Sequence, residues 1–189
     1  MKQKKCKAKG CGVVFTPARP FQCWCSPDCA VLIAGAKKEQ AETKKRQAER
    51  KADREKREKL KTRSDWMKDA QREFNRYVRL RDAGKPCICC GLPLGDGEIG
   101  GAYDCGHYRS VGSAPHLRFD ERNAHAQRKQ CNRYGAGRAV DYRIGLVQRL
   151  GLEAVESLEQ DNSIRKFSVE DLKQIRDSYR AKCKELEKA

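Results

Sequence analysis

The chain has 189 residues, and 42 Lys and Arg against 26 Asp and Glu give it a formal net charge of +16. This excess of cations points to a polyanion as partner, most simply nucleic acid, through the release of phosphate counterions. Hydrophobic residues make up only 38% of the chain and no apolar run approaches the roughly 20 residues that span a membrane, which argues against a membrane protein and against a large apolar core.

The beginning of the chain indicates the compartment. Residues 1–6 lack the apolar segment of a signal peptide, so we expect a cytoplasmic protein in a reducing environment. In that environment the eleven cysteines are metal ligands or free thiols rather than disulfides, and their odd number agrees with this interpretation.

A small zinc finger is predicted over residues 1–35. Gly10 and Gly12 flank one of its cysteines, as suits the tight turn of a zinc knuckle, and Ser26 followed by Pro27 predicts the N-cap and first residue of a helix. Two cysteine pairs in this arrangement can form a tetrahedral four-thiolate site. The predicted zinc ligands are Cys6, Cys11, Cys25 and Cys29, with Cys23 left over. Unligated thiols are the alternative, and the finger could bind DNA, bind protein or only cap the N-terminus.

A basic helical arm is predicted over residues 36–63. From Lys37 to Arg63 the chain has thirteen basic and six acidic residues, and almost no apolar residue. Strong helix formers dominate, and acidic residues recur four positions before basic ones, as in Glu42 and Arg46. We expect a solvent-exposed helix that serves either as a charged spacer or as an arm along a DNA backbone.

An amphipathic helix follows the arm. Thr62 and Asp65 resemble a capping box, and apolar residues recur at helical spacing from Trp66 to Val78. The helix should end near residues 83–84, and its aromatic side chains are predicted to be core.

The stretch richest in chemically active side chains runs from Cys87 to Tyr134. It holds all three histidines and five of the eleven cysteines. Soft thiolates occur here beside Asp, His and Asn, which prefer hard or borderline metals. Residues 98–104 are predicted to form a strand, residues 108–120 a loop and residues 121–132 a short helix. The sequence therefore predicts a zinc-stapled ββα-metal (HNH-like) nuclease domain over residues 64–138, with its leading helix included.

The C-terminal region, residues 139–189, is predicted to be helical. Its first helix should span residues 139–150 and stop at Gly151, and Ser168 with Asp171 forms a second capping box. Cys183 falls near the apolar stripe of the last helix and is predicted to be buried. The chain as a whole is therefore predicted to be α+β and predominantly helical.

Four segments of the central stretch carry a resemblance to a known family. They are residues 104–110, 114–119 and 123–127, closed by Cys131-Asn132-Arg133-Tyr134. They resemble the NinG (Rap) family of lambdoid phages, recombination endonucleases of the HNH superfamily, and the surrounding helices fit as well. The resemblance implies a phage-encoded protein of the host bacterial cytoplasm that cuts branched DNA, such as Holliday junctions and D-loops. Composition alone would not give that substrate.

The resemblance also implies a second structural zinc. Family members usually close this site with two Cys-x2-Cys pairs, but the first position of the second pair is Arg128 in this chain. The predicted ligands are Cys87, Cys90, Cys105 and Cys131, with Cys89 as second choice for Cys105. If no fourth ligand exists, the unit could be free of zinc.

The catalytic assignments follow the HNH plan. Phosphodiester hydrolysis needs an activated water and neutralisation of the developing charge, and His107 is predicted to be the general base. Asp104 offers a hard oxygen to Mg²⁺ or Mn²⁺, and Asn132 matches a position from which some junction-cleaving relatives supply a metal ligand. His125 is the alternative ligand from the predicted helix, and Asn123 is predicted to brace the loop.

Arginines surround these groups, and guanidinium groups suit phosphate oxygens. The predicted DNA-binding residues are Arg109, Arg118, Arg122, Arg128 and Arg133. Each could equally be a solvated surface charge. No pattern of a recognition helix is visible, so we expect the DNA to be recognised by shape. His116 is expected to pair with backbone in its loop.

Three hypotheses follow from the sequence. The first is a structure-selective DNA endonuclease, with a homodimer as a possibility. The second is a non-catalytic zinc-finger protein that binds nucleic acid, and the third is a scaffold whose basic helix docks an acidic partner. The set of Asp104, His107 and Asn132 favours the first, because a binding module does not require it.

Overall fold

The computed structural model describes residues 2–95, 101–135 and 137–188. The fold is mostly helical with two small sheets, and it divides into two compact units, Met1–Leu60 and Lys61–Ala189. Within the described residues, none of the helices combines the length and apolarity needed to cross a membrane.

The first unit contains a two-stranded antiparallel sheet and one long helix. Strand β1 (Lys4–Lys5) pairs with β2 (Val14–Phe15). Helix α1 (Pro27–Lys59) begins as predicted, because the Ser26 side chain accepts a hydrogen bond from the Cys29 amide and Pro27 occupies the first turn. The helix ends before residue 63, and at about 1.5 Å per residue it is roughly 50 Å long.

Helices α2 (Arg63–Arg81) and α5 (Val169–Leu186) form the main helical layer of the second unit. Both predicted capping boxes are present, one from Thr62 and Asp65 and one from Ser168 and Asp171. The apolar faces of the two helices pack together, and Cys183 is buried between them as predicted. The buried residues of this layer include Trp66, Ala70, Phe74, Val78, Leu172 and Tyr179.

A second antiparallel sheet carries the central stretch. Strand β3 (Tyr103–His107) pairs with β4 (Ala124–Arg128), with His107 opposite Ala124. The short helix predicted over residues 121–132 is therefore wrong in its first part: β4 occupies it, and only Gln130–Tyr134 form a π-helical turn. Pairing with β3 and burial against α2 override the helix-favouring composition. Residues 98–100 of the strand predicted over 98–104 lie outside the described residues.

Two shorter helices complete the second unit. Helix α3 (Ala139–Leu150) stops at Gly151 as predicted, where φ is 86°, and α4 (Leu152–Gln160) follows at once. The buried Tyr142 hydroxyl donates to the Gly106 carbonyl at 2.8 Å and accepts from the His125 amide at 3.0 Å. This hydroxyl therefore joins α3 to both strands of the sheet.

A buried carboxylate joins α2 to the sheet. Asp82 follows the last residue of α2 and has no exposed surface. Its oxygens accept hydrogen bonds from Arg81 at 2.8 and 3.0 Å, from Lys85 at 3.0 Å and from the backbone amide of Ala126 in β4 at 3.0 Å. Burial alone would raise the pKa of Asp82, but hydrogen bonds from His125, Arg81 and Ala126 hold it far below its usual range.

Replacing Asp82 by Asn should strongly destabilise the second unit. The substitution removes the closest counter-charge of the partly buried Arg81 guanidinium and leaves only Glu121 at 3.9 Å among the described residues, and breaking a buried pair costs about 3–5 kcal/mol. Urea unfolding followed by Trp66 fluorescence in a Trp24→Phe background measures the change. Asp141→Asn, which removes an exposed ion pair with Arg138, is the control and should have a much smaller effect.

The same carboxylate fixes the direction of the pH dependence. Because the folded pKa of Asp82 is depressed, its stabilisation is fully present above the unfolded pKa near 3.9 and is lost as the pH falls further. The free-energy difference between the wild type and Asp82→Asn should therefore shrink in acid. A difference that stays constant down to pH 3 would contradict this account.

Candidate functional site

The first thiol cluster lies in the N-terminal unit. The sulfur atoms of four cysteines lie within 4.8 Å of one another, and these are the predicted zinc ligands Cys6, Cys11, Cys25 and Cys29. Hydrogen bonding from the Ala8 amide lowers the pKa of Cys6 to about 7, which favours the thiolate that binds metal. Cys23 is not in the group. Four sulfurs at this spacing can hold a zinc ion.

The second thiol cluster lies beside the β3–β4 sheet. The sulfurs of Cys87, Cys90 and Cys131 lie within 4.8 Å of one another. Burial raises the pKa of Cys87, but backbone N–H groups, first that of Arg128 at 3.3 Å from the sulfur, outweigh it and bring this pKa to about 7. The cluster therefore offers three sulfur ligands for zinc, one of them stabilised as a thiolate.

The structure does not bring Cys105 to this cluster. The pleat of β3 directs Cys105 toward Phe74 and Val78 of α2, and burial raises its pKa to about 12. Cys89, the second choice for the fourth zinc ligand, is better placed, because its sulfur lies 3.5 Å from that of Cys87. Cys89 is thus a better-placed candidate for the fourth ligand than Cys105, whose assignment has no geometric support, but its sulfur is not in the described group of three that lie within 4.8 Å of one another.

Asp104 and Asn132 are in contact. The Asn132 amide nitrogen lies 3.4 Å from one Asp104 oxygen, and Arg133 donates to both oxygens at 2.7 and 3.1 Å. A carboxylate and an amide oxygen fit a hard divalent cation, provided that Arg133 releases Asp104. The Arg133 side chain is 57% exposed, so it has room to move.

His107 is held by a backbone carbonyl. Its Nε2 lies 3.0 Å from the carbonyl oxygen of Arg118, which can only accept, so Nε2 carries the proton and Nδ1 keeps its lone pair. Burial lowers the pKa of His107 below its ordinary value. The ring is therefore neutral at pH 7 and can take a proton at Nδ1.

A cavity of about 700 Å³ has two of the predicted catalytic residues in its wall, and Asp104 is not among the described residues that line it. His107 and Asn132 both line it, together with Tyr108 and Glu159. Asp104 and His107 are three positions apart on β3, so their side chains leave opposite faces of the strand. Asn132 joins the two groups, because it lines the cavity with His107 and contacts the carboxylate of Asp104.

Asn123 holds the loop between the two strands. Its side chain is fully buried, accepts from the Arg109 amide at 2.8 Å and donates to the carbonyls of Arg109 at 3.0 Å and Leu117 at 3.2 Å. All of its strong hydrogen-bonding groups face backbone. Asn123 therefore fixes the path of the chain just after His107.

The other two histidines lie away from the cavity. His125 is on β4 rather than on a helix, and its Nδ1 faces Asp82 at 3.5 Å and Arg81 at 3.2 Å. His125 therefore belongs to the buried network at the end of α2, and none of its contacts with the described residues reaches Asp104. The Nε2 atom of His116 lies 2.9 Å from the carbonyl oxygen of Asp161, which confirms its expected pairing with backbone.

Most of the five arginines predicted to bind DNA are engaged within the protein. Arg109 donates to carbonyls at the end of α4, Arg118 to Gln71, Arg122 to Asp120 and Arg133 to Asp104. Arg128 instead lines a second cavity. An arginine that is close to the site in sequence is therefore not necessarily free to bind a DNA phosphate.

The sequence-based prediction gives no role to Tyr108 and Glu159, which both line the cavity. The Tyr108 hydroxyl donates to Glu159 at 2.5 Å, and Arg143 donates to the same carboxylate at 2.7 Å. Glu159 comes from α4, more than 50 residues after Tyr108, so local spacing gives no signal for this contact. Tyr108 and Glu159 form part of the cavity wall, and Arg143 ties that wall to α3.

Comparison with known proteins gives a consistent result. The family model described as "Bacteriophage Lambda NinG protein" matches residues 1–189. Curated relatives named "Protein ninG" include those of Salmonella phage P22, 39% identical over 97% of this chain and 94% of that protein, and Escherichia phage lambda, 38% identical over 97% and 93%. The protein of Enterobacteria phage H19B is 35% identical over 97% and 94%. No solved structure matches the chain.

The purified protein should contain two zinc ions per chain, one for each thiol cluster. Cys131→Ser should reduce the count to one, because it leaves the second cluster with too few sulfurs for a tetrahedral site. Cys89→Ser should weaken zinc binding at that cluster by at least about 10-fold in a chelator competition, because loss of a residue that only supports a ligand already costs about 10- to 100-fold. Cys105→Ser is the matched control.

Atomic absorption measures the count, and competition with a chromogenic chelator measures the affinity. Loss of one zinc from Cys105→Ser with full retention in Cys89→Ser would reverse the assignment of the fourth ligand.

Proposed function

This chain belongs to the NinG family of bacteriophage proteins, and on that premise we propose that it is a metal-dependent endonuclease that hydrolyses phosphodiester bonds in branched DNA. The observation that carries the proposal is the cavity lined by His107 and Asn132, where Asn132 contacts the Asp104 carboxylate. A purely structural zinc unit needs neither an imidazole in a cavity nor an amide in the same cavity wall that contacts a carboxylate from the other face of the strand.

The local chain order supports an HNH-type assignment. Strand β3, a braced loop, strand β4 and the helical turn Gln130–Tyr134 follow one another as in a ββα-metal unit. The thiol cluster joins the turn to the segment before β3 through Cys131 and Cys87. The position of Asn132 directly after Cys131 therefore fixes the amide relative to the sheet.

His107 is proposed as the general base. Its Nδ1 would take the proton of the attacking water, while the Arg118 carbonyl holds Nε2–H and thus the orientation of the ring. The lowered pKa of His107 keeps the ring neutral at pH 7, so the lone pair is available before the substrate binds. Asn123 contributes by holding the loop backbone that follows the base.

Asp104 and Asn132 are proposed to hold the catalytic cation. A bound Mg²⁺ or Mn²⁺ would neutralise charge on the phosphoryl and leaving oxygens. Arg133 would leave Asp104 and contact a phosphate oxygen of the DNA, which its 57% exposed side chain permits. Glu159 stays paired with Tyr108 and Arg143 and shapes the cavity.

The substrate is proposed to be branched DNA, such as a Holliday junction or D-loop, within the host bacterial cytoplasm. The formal charge of +16 supports phosphate binding, and the arrangement of arginines shows no base-reading helix. Symmetric cutting of two strands of a junction would require two copies of the chain, which makes a homodimer the natural assembly on DNA.

A non-catalytic zinc protein that binds nucleic acid is the second candidate. The specific observation in its favour is that Arg133 occupies the Asp104 carboxylate with two hydrogen bonds, an arrangement that a structural ion pair would also show. The two candidate functions make different predictions for His107, because only the nuclease requires its imidazole for activity.

His107→Ala should reduce the rate of junction cutting by about 10²- to 10⁴-fold, because general-base catalysis typically contributes that much. Junction affinity and zinc content should remain those of the wild type, since His107 is not a zinc ligand here. His116→Gln is the matched control: this histidine is also tied to a carbonyl but lies outside the cavity.

Single-turnover cutting of a labelled four-way junction in Mg²⁺ or Mn²⁺ measures the rate. Full activity in His107→Ala would show that His107 is not the general base. If the wild-type protein cuts no branched DNA with either metal, the nuclease proposal fails and only the nucleic-acid-binding function is left.

Binding to DNA should depend steeply on salt. Six to ten phosphate contacts would reduce the affinity by about 10³- to 10⁵-fold between 50 and 200 mM salt. Fluorescence anisotropy with a labelled junction measures this slope. A flat dependence would instead favour the third hypothesis, in which the exposed charges of α1 dock an acidic protein.

A further inference from the structure

The helical turn that carries Asn132 ends on an exposed aromatic ring. Tyr134 is the last residue of the π-helical turn Gln130–Tyr134, and its side chain is 84% exposed. Single π-turns are frequent at functional sites. Burial in the core does not explain this tyrosine, which lies two residues from Asn132.

A second cavity of about 440 Å³ opens beside this ring. Its described lining contains no acidic residue and consists of Cys90 and Cys131 of the second thiol cluster, Leu92, Arg128, Gln130, Tyr134, Gly135 and Arg138. The cavity thus combines an aromatic face, a side-chain amide and two guanidinium groups, which is the chemistry that binds single-stranded nucleic acid.

The backbone beside the cavity holds one residue in a strained conformation. Arg138 has φ 48° and ψ 57°, the left-handed region that non-glycine residues rarely adopt and that is often found at functional sites. A Cβ at Gly135 would lie 2.9 Å from the Arg138 side chain and 3.0 Å from the Cys131 carbonyl. Cys131 also belongs to the second thiol cluster, so a bound zinc would hold this platform in place.

We propose that this cavity binds one unpaired nucleobase at the branch point of the DNA, stacked on the Tyr134 ring. The proposal rests on the proposed nuclease function and supplies its structural selectivity. A base in a regular duplex presents only its edges, whereas an unpaired base at a junction can present its ring face to an aromatic side chain.

The neighbouring side chains have distinct roles in this subsite. Arg128 contacts a phosphate beside the stacked nucleotide, whereas Arg138 is paired with Asp141 at 2.8 Å and contributes positive charge to the cavity wall. Gln130 can donate to and accept from the base edge. Because Tyr134 and Asn132 belong to one turn, the stacked base lies close in the strand to the phosphate that is cut.

The test compares two DNAs of equal length and charge, a fully paired duplex and a junction with one unpaired base at the branch point. Affinities are measured by anisotropy without Mg²⁺ or Mn²⁺, so that no cutting occurs. Tyr134→Ala should lose about 5- to 100-fold in affinity for the junction, the range for one stacked base, and little for the duplex. Tyr134→Phe should keep the wild-type preference, because it keeps the ring.

Three further variants make the result specific. Tyr134→Leu keeps bulk without an aromatic face and should behave like Tyr134→Ala. Arg128→Ala should weaken binding to both DNAs by a similar factor, as a phosphate contact does. Phe21→Ala removes an equally exposed ring, 93% exposed, from the N-terminal unit and should leave the preference unchanged.

The outcomes test the nucleobase subsite independently of the proposed nuclease function. A wild-type junction preference in Tyr134→Ala, with zinc content intact, overturns the subsite whether or not the wild type cuts DNA. Loss of the preference in Tyr134→Ala and Tyr134→Leu, but not in Tyr134→Phe, supports it even if no cutting is found. If Tyr134→Ala loses zinc, the junction preferences of Tyr134→Leu and Tyr134→Phe are compared instead. Loss of the preference in Tyr134→Leu alone supports the subsite, and equal preferences in the two variants overturn it.

Discussion

The buried carboxylate of Asp82 is the interaction on which the central part of the fold depends. A two-stranded sheet with five residues in each strand is marginal by itself and needs a partner that covers one face. Helix α2 provides that cover, and Asp82 fixes the end of the helix to β4 through the Ala126 amide. The same carboxylate partly neutralises the positive charges of Arg81, Arg149 and Lys85, which would otherwise repel one another. The position of His107, which pairs with Ala124 at the end of the same sheet, is a consequence of this anchoring.

The features that could be predicted from sequence are those that depend on neighbouring residues. The N-cap at Ser26 and the capping boxes at Thr62 and Ser168 involve partners three positions away, and all three are present. The four N-terminal cysteines come together as their spacing indicates. In contrast, residues 121–132 contain Glu, Arg, Ala and Gln that suit a helix, and only pairing with a strand about 20 residues earlier makes β4 extended.

The features that could not be predicted depend on distant partners. Asp82 contacts the Ala126 amide 44 positions later, and Tyr108 contacts Glu159 51 positions later. The direction of Cys105 was set by the pleat, which a spacing argument cannot give before the register is known. The arginine count predicts a polyanionic partner, but it could not show that Arg109 and Arg122 are already paired within the protein.

Helix α1 has a different thermodynamic character from the rest of the chain. Over 33 residues it buries only Cys29, so its helicity comes from intrinsic propensity and side-chain pairs along the helix rather than from a packed face. Such a segment melts by gradual fraying, whereas the packed second unit unfolds cooperatively. The ellipticity of the intact protein at 222 nm therefore sums two transitions of different shape, and a single van't Hoff enthalpy fitted to that curve would describe neither of them.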